Sequence, residues 1–186
     1  MYEQHTTYRF LYFSVSSGES AESNSGGGSG GSIILNGNTV SVSGTISANG
    51  GNGNSGFGGG GAGGIIAIYY VNDEIGGTIT SFGGTGVEAG GCGPVYTERV
   101  DDISPTTAIR FNNNNQGSSA ACIVTISDDT YLLQLSSIEV EDNSRVSFHD
   151  RTNSDARVSA QVSSMTSHSD SAILYVGNRV GAFRVI

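Results

Sequence analysis

Apolar and polar positions alternate over residues 39–48 ("TVSVSGTISA"): Val40 and Val42 are separated by Ser41, and Ile46 and Ala48 by Ser47. A side-chain period of two belongs to an extended strand with one face buried. Residues 65–71 ("IIAIYYV") form a continuous β-branched and aromatic run, the pattern of a strand covered on both faces. Beyond about Val100 the alternation returns in short pieces: Leu133/Leu135, Ile138/Val140, Val146/Phe148, Val158/Ala160, Ile173/Tyr175 and Phe183/Val185. The pieces starting at Leu133, Val158 and Phe183 lie 25 positions apart. No segment predicts a helix, because each interior glycine costs a helix about 1 kcal/mol relative to alanine.

The strands repeat together with glycine. "GTISANGGNG" begins at Gly44 and "GTITSFGGTG" at Gly77, 33 positions later; "GGSIIL" at Gly30 and "GGIIAI" at Gly63 keep the same step. A partial third copy, "GGCGPVY" at Gly90, follows "GGAGGII" at Gly60 after 30 positions. A self-similar period of this size marks stacked supersecondary units. Hairpin dipeptides flanked by clean alternation are scarce, Asn36-Gly37 being one. The expected fold is therefore all-β, a parallel β-helix (β-solenoid) with glycine-rich loops, the alternative being a β-sandwich or jelly roll. In the β-helix Ile46 sits under Ile79, and the asparagine run at 112–115 is a side-chain ladder or a loop. Glycine stretches at 25–31 and 55–64 read by default as flexible linkers. Their recurrence in register with the strands favours ordered arches that use positive φ and close backbone approach. Three segments result: residues 1–25 as an N-terminal strand or edge, 26–99 as the glycine-rich β-repeat, and 100–186 as a glycine-poor run of β-rungs continuous with it.

Composition narrows the partners. The 186 residues suit one domain, with 29 Gly and only 13% charged residues. All 8 basic residues are arginine, and the net charge of −9 argues against nucleic acid and against anionic membrane. No apolar run approaches the roughly 20 residues that span a bilayer, so membrane insertion is not expected. The opening residues do not read as a signal peptide, since Glu3 and Arg9 interrupt the apolar stretch. Cys92 and Cys122 permit one disulfide or two small buried hydrophobes, and their spacing does not suggest zinc.

Candidate chemistry is thin. Acidic pairs occur at Asp73/Glu74, Asp101/Asp102, Asp128/Asp129 and Glu139/Glu141/Asp142. Only Glu139 and Glu141 share a strand face, where two carboxylates pair or bind Ca²⁺, and on an exterior such pairs are usually just solvated. His5, His149 and His168 have no ligand spacing, no G-x-S-x-G elbow occurs, and the G-x-G-x-x-G look-alikes lack a following helix. No catalytic, cofactor-binding or metal-ligating residue is assigned; the chain is not expected to be an enzyme or to carry a cofactor.

The run from "GGSIILNGNTVSVSGTISANGG" through "GGGGAGGIIAIYY" to "GGCGPVYTE" resembles the glycine-rich repeats of very large secreted and cell-surface proteins of algae and other protists. These include flagellar-hair (mastigoneme) proteins, and bacterial adhesins carry comparable repeats. The resemblance covers about residues 26–99 and departs from the usual form at Ile65, where arginine is usual, and at Gly93-Pro94. It implies an architectural, extracellular or cell-surface β-solenoid that self-assembles into a filament, appendage or sheath. Self-assembly edges are expected at Tyr8, Phe10 and Tyr12 and at Phe183 and Val185. The partners expected are copies of the chain itself, with other matrix or appendage proteins or glycans besides. The alternative is an adhesin or carbohydrate-binding module using an aromatic platform at Tyr8/Phe10/Tyr12 or Tyr69/Tyr70.

Overall fold

The computed structural model describes residues 7–10, 17–54, 56–100, 106–116, 122–126, 132–142, 144–150, 159–167, 173–176 and 182–185. Regular structure among them is entirely strand: β1 (Thr7–Phe10), β2 (Ser32–Val42), β3 (Thr45–Ser47), β4 (Ile65–Ile75), β5 (Thr78–Thr80), β6 (Val95–Arg99), β7 (Thr106–Asn112), β8 (Cys122–Ile126), β9 (Leu132–Glu141), β10 (Arg145–Asp150), β11 (Ser159–Ser167), β12 (Ile173–Val176) and β13 (Ala182–Val185). The period-two segments at residues 39–47 and the β-branched run at 65–71 account for β2 to β4.

Eight strands form one open sheet in the order β1-β2-β4-β6-β7-β9-β11-β13. Neighbours run parallel, as connections through a separate layer require, except at β6–β7, where the chain turns back and pairs antiparallel. The sheet is thus mixed, not all-parallel, and not closed. Two smaller parallel sheets, β3-β5 and β12-β10-β8, stand apart from it. The sequence repeat sets the register: Ser32 pairs Ile65 and Val42 pairs Ile75, while Ile46 pairs Ile79.

The antiparallel junction moves the core to the other side of the sheet. Directly paired residues share a face. One row runs Ile33–Ile66–Val95 and continues as Arg110–Glu139. Its first three members are buried, packed in a cluster with Ile46 of β3 and Ile79 of β5. The opposite row runs Ile34–Ala67–Tyr96–Ile109–Ile138. Here Ile34 is 71% exposed, whereas Ile138 is fully buried. Ile109 and Ile138 belong to a second cluster with Phe111, Cys122 of β8 and Val146 of β10. Each half of the sheet therefore buries a different face under a different small sheet.

The glycine stretches are ordered. Six extended segments (residues 17–21, 26–31, 48–53, 59–64, 81–86 and 88–93) bond to one another mainly through backbone. Donors recur every third residue: Gly18 and Ala21 donate to Asn49 and Asn52, Gly27 and Gly30 to Gly59 and Ala62, Gly50 and Gly53 to Phe82 and Thr85, and Gly60 and Gly63 to Glu88 and Gly91. A second series crosses all six segments, from Gly28 to Glu19, Gly51 to Gly28, Gly61 to Gly51, Gly84 to Gly61 and Gly90 to Gly84. Three residues per turn with bonds only to neighbours is the habit of a polyproline II helix. Positive φ, expected for these arches, is not what they use: no described glycine has it. Glycine is required because segments touch; a Cβ on Gly61 would meet the Gly28 carbonyl, and one on Gly84 the Gly51 carbonyl. Side chains reinforce the array on one surface, where Asn49 Oδ1 accepts from Phe82 N–H (2.8 Å) and Asn52 Oδ1 from Thr85 N–H (2.9 Å).

Candidate assembly edges and the capped end of the glycine array

β1 and β13 are the two edges of the large sheet. Tyr8 and Phe10 lie on β1, opposite Val40 and Val42 of β2. Phe183 and Val185 lie on β13, opposite Ala160 and Val162 of β11. Tyr12 lies outside the described residues. Because strand direction reverses once, at β6–β7, the two edge strands run antiparallel to each other. The chain's edge residues are thus placed at opposite ends of one sheet, each with a row of backbone groups facing outward.

Cys92 and Cys122 are joined in a disulfide, with Cα atoms 5.0 Å apart. Both are buried. The Ser144 hydroxyl lies 3.7 Å from the Cys92 sulfur, which as a cystine sulfur can only accept. The bond ties the last glycine segment to β8, the outer strand of the small sheet that covers the second core.

At that end the array meets β7 and the turn after it. The Arg110 guanidinium, through Nη2, donates to the Ile79 carbonyl of β5 at 2.7 Å. Asn113 is 1% exposed. Its Oδ1 accepts from Gly83 N–H at 3.0 Å, and its Nδ2 donates to the Gly90 carbonyl at 3.2 Å. Asn112 turns away, and its Nδ2 donates to Glu141 Oε2 (2.9 Å) and Asp142 Oδ2 (2.8 Å). Asn114 and Asn115 hold left-handed backbone (φ 51 and 56), which asparagine tolerates better than most residues. The asparagine run is a turn with one capping side chain.

Beside the cap lies an open groove of about 580 Å³. It is lined by residues 77–82 and by Val95, Thr97, Arg110 and Glu139, together with Tyr70 and Asp73. Burial raises the Tyr70 pKa above its ordinary value, the Asp73 carboxylate raises it further, and Arg99 opposes both. Tyr70 therefore stays a neutral hydroxyl through the physiological range.

The remaining candidates are scattered. Glu139 lines the groove, whereas Glu141 is engaged by Asn112. No group of three potential metal ligands forms among the described residues. Adjacent strand residues point to opposite faces, so Tyr69 and Tyr70 do not make one platform. The Tyr69 and Tyr96 rings meet at a tilt of 56° with centroids 5.8 Å apart, and Tyr70 packs against the first core. Sequence reasoning missed Arg110 and Asn113; the signal present was an asparagine run following an amphipathic strand. No protein-family model, curated protein or solved structure matches the chain.

Proposed function

We propose that the chain is a structural unit of an extracellular filament or surface appendage, built as a β-solenoid that extends by pairing β13 of one copy with β1 of the next. The observation that carries this reading is an open mixed sheet of in-register strands whose two edge strands have no further neighbour among the described residues. Such an edge templates another chain. The buried cystine supports an oxidising, extracellular setting.

The β6–β7 junction supplies a precedent for the contact between copies. There, two stacks of opposite strand direction join antiparallel in one sheet. A β13–β1 contact between copies related by translation is antiparallel in the same way. Eight strands spaced about 4.8 Å apart give an axial repeat of about 38 Å per copy. Electron microscopy of concentrated protein is expected to show filaments with that repeat. Monodisperse single particles at every concentration, confirmed by sedimentation velocity, would refute the reading.

A further inference from the structure

Residues 44–53 seat on residues 77–86 by one backbone scheme. Strand pairs run from Thr45↔Thr78 to Ser47↔Thr80. The N–H groups of Ala48, Gly50 and Gly53 then donate to the carbonyls of Thr80, Phe82 and Thr85. Residues 77–82 of this stretch also line the groove.

Along this stretch two side chains occupy the hydrogen-bonding places of a next segment. Gly50 N–H donates to a backbone carbonyl, that of Phe82; Gly83 N–H, its equivalent one repeat on, donates to Asn113 Oδ1. The Gly61 carbonyl accepts from a backbone N–H, that of Gly84; the Gly90 carbonyl, its equivalent, accepts from Asn113 Nδ2. One carboxamide thus reproduces both halves of a peptide group. Arg110 does the same for β5 by taking the Ile79 carbonyl. Charged and polar side chains placed on an edge in this way block strand addition.

We propose that the edge formed by residues 77–86 is a docking site for a partner chain presenting an extended strand followed by a glycine-rich stretch, and that Arg110 and Asn113 hold it shut. The chemistry of the occupant follows from what already sits on the other edge: a β-branched strand, then glycines whose missing Cβ lets the backbones meet. The groove's flanking carboxylates, Asp73 and Glu139, suit a segment that is neutral or basic. This edge is distinct from β1 and β13, so the site does not depend on the filament reading.

The probe is the synthetic decapeptide GTISANGGNG (residues 44–53 of the chain), labelled with a fluorophore and followed by anisotropy. R110A/N113A is expected to bind it at least tenfold more tightly than the wild type, because displacing a charge-assisted hydrogen bond no longer opposes docking. A scrambled peptide should show no such gain. Equal affinity for wild type and a folded double variant, judged by circular dichroism and a cooperative melt, overturns the proposal. Should Asn113→Ala fail to fold, Arg110→Gln decides it alone: tighter binding supports the gate, and unchanged affinity overturns it.

Discussion

The two halves of the large sheet are finished by opposite means. Up to β6, the strands continue into a glycine array in which backbone meets backbone, and the adjoining core is almost entirely β-branched: Ile33, Val40, Val42, Ile46, Ile66, Ile68, Ile79 and Val95, with Ala48. From β7 onward the sheet packs on side chains alone, with Phe111, Leu135, Ile138 and Val146 in one cluster with the cystine. In the first region order depends on atoms that are absent; in the second, on volume that is present. A methyl group added to the array and a bond removed from the second core should both destabilise, for unrelated reasons.

The cystine is where the two regions are fastened, and its loss is the largest effect expected. It closes a loop between residues 30 positions apart. Chain entropy alone assigns such a loop about 3.5 kcal/mol. The variant C92A/C122A should lose about that much in denaturant unfolding. A loss under about 1 kcal/mol would mean that the glycine array and the second core hold each other without the bond.

The array itself is tested by a pair of glycines two positions apart. A Cβ on Gly61 would run into the Gly28 carbonyl, so Gly61→Ala must push two segments apart. The expected loss is about 3 kcal/mol, the upper part of the range for overpacking. Gly59 is exposed, and the nearest atom to a Cβ there, the Glu88 carbonyl oxygen, is 3.6 Å away. Gly59→Ala should change stability by less than about 0.5 kcal/mol. A flexible linker predicts no difference between them, since alanine then only reduces the freedom of the unfolded chain. Thermal melts of the two variants separate these outcomes.

What the sequence shows of this molecule is what repeats locally. The alternation at 39–48 and the 33-residue step suffice to set Ile46 on Ile79 and Ser32 on Ile65. The reversal at β6–β7 is not legible, because alternation looks the same whichever face is covered. Val95 and Arg110 pair directly and both line the groove, yet only Val95 belongs to the first core. The glycine array is half legible. Its recurrence marks it as ordered, but the three-residue bonding period carries no side-chain signature where more than half of the positions are glycine. The array also reaches back to Gly18, past the composition change near residue 26. Asn113 is invisible for another reason. Its role depends on Gly83 and Gly90, which lie 30 and 23 positions earlier and are brought to it only by the fold.

The smallest expected effect concerns the seam between the regions, where Tyr70 borders the groove. Its pKa is raised from 10.0 by burial first and by Asp73 second, against a lowering by Arg99. The folded chain therefore holds this proton more tightly than the unfolded chain does. That contribution is complete below about pH 10 and is lost as the pH rises through the folded value. Unfolding free energy should fall with pH in this alkaline window. Tyr70→Phe should remove part of the slope, and Asp73→Asn should lessen it by taking away one of the two raising causes. Equal alkaline slopes for wild type and Tyr70→Phe would show that Tyr70 is as solvated in the native chain as in the unfolded one, and the groove would then be open to water at that residue.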